Sequence, residues 1–152
     1  MFSFFKKEKK KKSHIPPYDA KLIRKFHKDH EKLVTQIGII KNNIETNKIE
    51  KAKEGLKKLK MSILGHFMEE DIKLYWYLKD YYKENDSVME IIIMYEESIK
   101  KVQKTAMSFL DKYSAEYTSL DMVFNKQFDE IIDVLATRIE TEENNLYTLY
   151  VK

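Results

Sequence analysis

Apolar residues recur at alternating steps of four and three along most of this chain, and this pattern constrains the fold more than any other feature. The first run consists of Leu22, Phe26, His30, Leu33, Ile37, Ile40 and Ile44. Such spacing places the side chains on one face of an α-helix. The chain has only three Gly and two Pro, whereas sheet-rich domains normally need these residues at their turns. We therefore predict a few long helices.

Three polar breaks divide the chain into four such runs. The breaks lie at Asn47, at residues 84–87 and at residues 114–121. Amphipathic helices joined by short connections pack as antiparallel neighbours. The predicted fold is therefore all-α, an up-down-up-down four-helix bundle, and 152 residues suit one such domain.

The helix ends can also be predicted from local signals. The first helix is expected over residues 19–46, with Pro16 and Pro17 at its start because proline is accepted in a first turn. Ser87 can cap the third helix, since a serine hydroxyl accepts a hydrogen bond from a free backbone N–H. A regular 3.6-residue period also predicts three later members of the apolar stripes, namely Tyr77, Tyr81 and Leu149.

Residues 1–17 differ in composition from the rest. Apolar Met1, Phe2, Phe4 and Phe5 precede six lysines and one glutamate within residues 6–12. We predict a basic, disordered tail over residues 1–17 and the bundle over residues 18–152. The tail has two interpretations, a solubilising segment or a weak contact with an anionic membrane surface. Because the tail carries more positive charge than the net +3 of the chain, the bundle is slightly acidic, and nucleic-acid binding by it is not expected.

The chain contains no cysteine. Disulfides, thiolate metal sites and iron–sulfur clusters are therefore excluded. Any metal would be held by imidazole, carboxylate, phenol or water, which suits non-haem iron, manganese or zinc. The lack of cysteine fits a cytoplasmic protein, and no apolar run is long enough to span a bilayer.

Five polar residues interrupt the apolar stripes: His30, His66, Glu70, Arg138 and Glu142. A buried polar group costs free energy unless it is paired. His30 and His66 lie at similar distances from the Asn47 turn, and pairs four residues apart share a helix face. We therefore predict one polar layer inside the bundle, with Tyr95, Ile99 or Val102 near its level on the third helix. Imidazoles and carboxylates converging from three helices form a site of the sort that binds iron.

Three segments resemble the hemerythrin-like (HHE) domain family. Asp29-His30-Glu31-Lys32-Leu33 is similar to its Asp-His-x-x-Leu segment, and His66-Phe67-Met68-Glu69-Glu70 is similar to its His-Phe-x-x-Glu-Glu segment. Arg138-Ile139-Glu140-Thr141-Glu142-Glu143, followed by Leu146-Tyr147, resembles the last-helix motif with arginine in the place of histidine. The resemblance spans about residues 18–150.

The resemblance implies a non-haem iron centre, mononuclear or dinuclear, that binds or senses dioxygen or nitric oxide or handles iron. The positions that match ligands are His30, His66, Glu70 and Glu142. Supporting or alternative ligands would be His27, Glu69, Tyr95, Arg138 and Glu143. The third-helix histidines of the family are missing, and Tyr95 and Ile99 are expected in their place. His27 is expected to bond Glu31 at the rim.

Arg138 leaves two interpretations open, because a guanidinium cannot ligate a metal. In the first, one ion is held by the four matching residues and Arg138 tilts away. In the second, the site is metal-free, Arg138 bridges Glu70 and Glu142, and the protein is a helical regulatory or protein-interaction module. Enzymatic activity is not expected, since the chain has no cysteine nucleophile, no glycine-rich phosphate loop and no Glu-x-x-His pair.

Overall fold

The computed structural model describes residues 15–152, and within them helices are the only regular secondary structure. The four long helices have the following bounds: α1 is Leu22–Glu45; α2 comprises Ile49–Glu69, a π-helical Glu70–Tyr75 and Trp76–Tyr81; α3 is Asp86–Ser114; and α4 is Met122–Thr141, continued by a π-helical Glu142–Leu146 and a 3-10 turn Tyr147–Leu149. Consecutive helices pack against each other, and the predicted all-α, up-down-up-down four-helix bundle is confirmed. None of the helices in the described range is long and apolar enough to cross a membrane.

Polar residues end the helices close to where the sequence predicted. Asn47 forms the α1–α2 turn with a φ of 57°, a left-handed conformation that asparagine tolerates better than most residues. Asp121 caps α4 by accepting a hydrogen bond from the backbone N–H of Phe124 at 3.0 Å. These side chains satisfy or redirect backbone groups that the helix itself leaves unpaired.

Two predictions about helix starts are wrong. Helix α1 begins at Leu22, so Pro16 and Pro17 precede the helix instead of forming its first turn; Asp19 makes the turn, because its carbonyl oxygen accepts from the N–H of Leu22 at 3.1 Å. The cap of α3 is Asn85 and not Ser87, since the Asn85 side chain accepts from the N–H of Val88 at 3.2 Å. Asparagine is as good a cap as serine and lies two residues earlier.

The chain enters and leaves the bundle at the same end. The ring of Tyr18 stacks on that of Tyr150 with centroids 4.9 Å apart, and the hydroxyl of Tyr150 accepts from the N–H of Asp19 at 2.8 Å. The predictions of disorder and membrane contact for the basic tail concern residues 1–14 almost entirely, which lie outside the described residues.

The interior has an aromatic end and a polar end. At the α3–α4 connection, four rings stack or tilt against one another: Phe109, Tyr113, Phe124 and Phe128. Aliphatic residues of all four helices fill the middle of the bundle. At the opposite end the stripes carry the predicted histidines and charged residues, all buried.

Candidate metal centre

The five residues predicted to form a polar layer do meet inside the bundle. His30 comes from α1, His66 and Glu70 from α2, and Arg138 and Glu142 from α4. Their exposed fractions are 3%, 3%, 1%, 6% and 1%, respectively. Each lies on an apolar stripe, so the packing of the surrounding aliphatic residues carries it into the core.

The inner atoms of four of these residues lie within hydrogen-bonding or ion-pair distance of one another. The Nε2 atoms of His30 and His66 are 3.0 Å apart. Oε1 of Glu142 is 3.1 Å from Nε2 of His30 and 3.9 Å from Nε2 of His66, and Oε1 of Glu70 is 3.3 Å from Nε2 of His66. One ligand atom each from His30, His66 and Glu142 lie within 4.8 Å of one another, a separation that one ion could bridge.

Carboxylates lie beside the outer nitrogens of both histidines, but only that of His66 is hydrogen-bonded. Nδ1 of His66 is 3.0 Å from Oδ2 of Asp29, and Nδ1 of His30 is 3.4 Å from Oε1 of Glu143. A proton on Nδ1 that faces a carboxylate leaves the Nε2 lone pair free for a cation, which is the usual arrangement behind metal-bound histidine. Asp29 therefore orients the imidazole of His66 inward, whereas Glu143 lies beside His30 without a hydrogen bond to it.

The remaining predicted ligands lie outside this cluster. His27 contacts Oε1 of Glu143 at 2.5 Å through Nδ1, so its partner is not the predicted Glu31; the side chain of Glu143 reaches back from α4 between the two histidines of α1. Glu69 faces the surface, where it pairs with Lys25 and Lys73.

Each buried glutamate begins a π-helical segment that brings a tyrosine to the same site. Glu70 starts the segment that ends at Tyr75, and Glu142 starts the one that Tyr147 follows. In a regular α-helix, a residue five positions on would point well away from the first. The wider π turn accommodates one extra residue, so each tyrosine falls on the buried face. Such segments are frequent at functional sites.

This register shift corrects the predicted stripes. Leu78 is buried on α2, whereas Tyr77 is only partly buried and Tyr81 is exposed; on α4, Tyr147 and Tyr150 are buried while Leu149 is only partly so. The prediction assumed an unbroken period of 3.6 residues. One added residue per π turn rotates everything that follows.

The Tyr147 hydroxyl lies at the centre of the cluster. Its oxygen is 3.0 Å from Oε2 of Glu70, to which it donates, 3.2 Å from Nε2 of His30 and 3.4 Å from Oε1 of Glu142. Burial and the charges of Glu70 and Glu142 raise the pKa of Tyr147 well above its ordinary value. The phenol therefore keeps its proton and donates it to the carboxylate of Glu70.

Arg138 closes the site on the α3 side. Its Nε donates to Oε2 of Glu142 at 3.2 Å, and its Nη2 donates to the hydroxyl of Tyr75 at 2.8 Å and to the backbone carbonyl of Tyr95 at 3.0 Å. The guanidinium also lies over the ring of Tyr95, 5.8 Å from its centroid. Helix α3 thus contributes a carbonyl and a ring face to the site.

Neither predicted position of Arg138 matches this arrangement. The guanidinium is buried at the site instead of tilted away, and within residues 15–152 its salt bridge is with Glu142 and not with Glu70. Glu70 instead bonds Tyr147. Helices α2 and α4 therefore exchange hydrogen bonds in both directions. Glu70 of α2 accepts from Tyr147 of α4, and Arg138 of α4 donates to Tyr75 of α2.

Burial and the neighbouring charges shift the pKa values of His66, Glu142 and Glu70. Burial alone would lower the pKa of His66, but contacts with Glu142, Glu70 and Asp29 outweigh it and raise the value to about 10. Burial would raise the pKa of Glu142, but His30, His66 and Arg138 lower it to about 2. Burial and the neighbouring charge of Glu142 raise the pKa of Glu70 to about 7. Paired cations and anions thus compensate one another in the dry interior.

The donor set fits a cation. Oε1 of Glu70 is fully buried without a hydrogen-bond partner, and two imidazoles with two carboxylates are the ligand types of non-haem iron and similar ions. His30, His66 and Glu142 would hold the ion, with Glu70 beside them. His66 would have to release its Nε2 proton, since a ligating histidine is neutral.

Sequence reasoning missed three members of this site, namely Asp29 as the partner of His66, and Tyr75 and Tyr147 as buried hydrogen-bonding groups. A signal for the tyrosines was present. Residues 70–75 read EDIKLY and residues 142–147 read EENNLY, so both follow the pattern Glu-x-x-x-Leu-Tyr. Each is preceded by a site residue four positions before the glutamate, His66 or Arg138.

The fold and the cluster together define a helical bundle with a buried histidine–carboxylate site of the kind that holds a cation. The chain matches the family model described as hemerythrin HHE cation binding domain over residues 21–150. The protein therefore belongs to this family. No curated protein and no solved structure gives a significant match.

Proposed function

We propose that this protein binds non-haem iron in the buried cluster of His30, His66 and Glu142, and that it senses or handles dioxygen, nitric oxide or iron without being an enzyme. The observation that supports the proposal most directly is the placement of the three ligand atoms within 4.8 Å of one another in a buried site. Membership of a cation-binding family adds to it.

The residues of the chain would divide the work by their positions. Asp29 orients the imidazole of His66, and the aliphatic core excludes bulk water. Tyr147 donates a hydrogen bond at the centre of the cluster, where an acceptor such as a bound diatomic ligand would meet it. Bound iron would supply an open coordination position and a change of oxidation state.

Metal analysis tests the proposal most directly. Protein purified anaerobically without chelator should contain stoichiometric iron, and adding ferrous iron to stripped protein should raise its melting temperature, because a ligand of the native state stabilises it by mass action. His30→Ala should abolish both effects. His14→Ala is the matched control, since His14 precedes the family match, and it should bind iron normally. Folded protein without metal, unchanged by ferrous iron, would contradict the proposal.

The carboxylate behind His66 gives a finer test. Asp29→Asn should weaken iron binding by about 10- to 100-fold, which is typical when the group that orients a ligating histidine is lost. Asp129→Asn serves as its control, because Asp129 pairs with Lys41 at the surface. Equal iron affinities for the two variants would show that Asp29 does not support His66 as a ligand.

A metal-free regulatory module is the second candidate, and Arg138 is the observation that favours it. The positive charges of Arg138 and of His66, whose raised pKa keeps it protonated, offset the negative charges of the buried carboxylates without an ion. In this case the stripped protein would keep its full stability, and ferrous iron, manganese and zinc would leave the melting temperature unchanged. The cytoplasmic location and the membrane contact of the tail stay predictions from the sequence.

A further inference from the structure

A groove between α3 and α4 leads from the surface to the outer side of Arg138. Its first hollow has a volume of about 460 Å³, and its walls include Met94, Tyr95 and Val102 from α3 and Val134, Thr137 and Arg138 from α4. A second hollow of about 430 Å³ continues along the same two helices and shares Val134 with the first. We refer to both hollows together as the α3–α4 groove.

Arg138 has an amino group that the protein leaves unused. Its Nε bonds Glu142, and its Nη2 bonds Tyr75 and Tyr95. Within residues 15–152, Nη1 has no hydrogen-bond partner, and it is not among the polar atoms that are both fully buried and unpaired. Arg138 is only 6% exposed and lines the first hollow. The two N–H groups of Nη1 are therefore unpaired donors of a residue that lines the groove.

The walls beyond the guanidinium are mainly apolar, although the exposed Lys112 and Glu130 also line the second hollow. Met94, Val102 and Val134 line the first hollow, and Phe109 and Ile131 line the second. Arg138 and Ile131 are seven residues apart on α4, which is roughly 10 Å along the helix axis, so an aliphatic chain of about eight to ten carbons would span the distance. A ligand that matches both features has an acceptor at one end and a hydrocarbon chain at the other.

The acceptor that suits a guanidinium best is a carboxylate. Guanidinium groups donate but do not accept hydrogen bonds, and charge-assisted bonds to carboxylates are stronger than those to neutral oxygens. An alkylammonium ion cannot accept a hydrogen bond from Nη1, and its positive charge is repelled by the guanidinium. Asp133 also lines the hollow, but it is exposed, so solvent and salt screen its repulsion.

We propose that the α3–α4 groove binds a medium-chain aliphatic carboxylate, with its head group on Nη1 of Arg138 and its chain along Val102, Val134 and Ile131. The site lies on the opposite side of the Arg138 guanidinium from the histidine–carboxylate cluster. It does not require a metal, so its test is independent of the function proposed above.

The test is a nuclear magnetic resonance titration of the full chain with labelled methyl groups. Decanoate, decanol and decylammonium are compared below their aggregation concentrations. We expect saturable shifts at the methyl groups of Met94, Val102 and Val134, with decanoate binding at least tenfold more tightly than decanol, and with no saturable binding of decylammonium. Equal affinities, or shifts spread over all four helices, would overturn the proposal.

Two variants locate the head group and the chain. Arg138→Met should weaken decanoate at least tenfold and leave decanol unchanged. Because loss of Arg138 strips Glu142 of its partner and could impair folding, Val134→Glu provides a second test. Its carboxylate, one turn before Arg138, would occupy Nη1 and repel decanoate. Val34→Glu on α1 is the control, since Val34 is 63% exposed and Val134 is 43% exposed. Equal decanoate affinities for the two glutamate variants would also overturn the proposal.

Discussion

The two ends of the bundle both lie on the buried stripes of the helices, but different interactions stabilise them. Aromatic rings pack at one end, and buried polar groups form hydrogen bonds and ion pairs at the other. At the aromatic end, Phe124 stacks on Phe128 and Phe109 with centroids 5.3 and 5.5 Å apart, and α3 and α4 keep a regular α-helical geometry there. At the polar end, both helices that carry a buried glutamate, α2 and α4, widen into a π turn. The rings pack between regular helices, whereas the buried hydrogen bonds of Tyr75 and Tyr147 form where a π turn shifts the helix register.

This difference predicts how substitutions at each end should change the free energy of unfolding. Dispersion and hydrophobic burial are lost atom by atom when a core residue is trimmed. A buried ion pair fails as a unit, because removal of one partner leaves the other charged and unsolvated. Substitutions at the polar end should therefore show strong dependence on which partner remains, and those at the aromatic end should not.

The largest effect is expected from Glu142→Leu. This change leaves Arg138 without its carboxylate in a buried site, and loss of one partner of a buried pair typically costs about 3 to 5 kcal/mol. The free energy of unfolding from urea titration of metal-free protein measures it. Glu140→Gln, an exposed site on the same helix, should change the stability little. A loss below about 1 kcal/mol for Glu142→Leu would mean that Arg138 finds water or another partner.

Replacing both partners sharpens the same comparison. Arg138→Met combined with Glu142→Leu makes the polar end resemble the aromatic end, and apolar replacement of a buried pair is often neutral or stabilising by about 1 to 4 kcal/mol. We expect the double variant to be more stable than Glu142→Leu alone in the same urea titration. If the two losses simply add, the pair is not energetically linked.

The pH dependence of the metal-free protein should come next in size. The folded-state pKa of His66 is about 10, above the ordinary value of 6.5, so its protonation favours folding. This contribution is complete below pH 6.5 and is lost as the pH rises to about 10, with a slope of up to about 1.4 kcal/mol per pH unit. Urea titrations from pH 8 to 10, above the pKa of Glu70 at about 7, should show this slope, and His66→Gln should reduce it.

Glu142 should act in the opposite direction. Its pKa is lowered to about 2 from 4.5, so the stability that its charge provides is present above pH 4.5 and is lost as the pH falls through 2. Comparison of the wild-type protein with Glu142→Gln in acid tests this sign. A wild-type protein that gains stability in acid relative to the variant would contradict it.

The smallest effect compares one tyrosine hydroxyl from each end. Tyr147→Phe removes the donor to a buried carboxylate and should cost about 1 to 3 kcal/mol. Tyr113→Phe removes a hydroxyl that donates to Oε1 of Gln127 at 2.8 Å in a partly buried position, and should cost about 0.5 to 1.5 kcal/mol. Equal losses in urea titration would show that the Tyr147 hydrogen bonds carry no extra weight from their buried, charged partners.

Much of the polar site could be predicted from the sequence because the stripe is regular up to each glutamate. His30 lies on α1, which is a regular α-helix throughout. His66, Glu70, Arg138 and Glu142 precede or begin the π turns, so a period of 3.6 residues places all five correctly. Residues after the turns could not be placed by that period, and Tyr75 and Tyr147 were missed for this reason. The partner of His27 was wrong because Glu143 reaches it from another helix, a contact that spacing along one helix cannot show.

The sequence by itself determined the number of helices, their antiparallel order and the polar positions that face the core, because these follow from periodicity and from short connections between neighbours. Only the tertiary structure decided which buried groups pair. It directs Arg138 toward Glu142, Tyr75 and Tyr95, and it brings Tyr147 between the histidine of α1 and the acids of α2 and α4. Hydrogen bonds depend on distances of a few tenths of an ångström between different helices, and such distances arise only when the helices have packed.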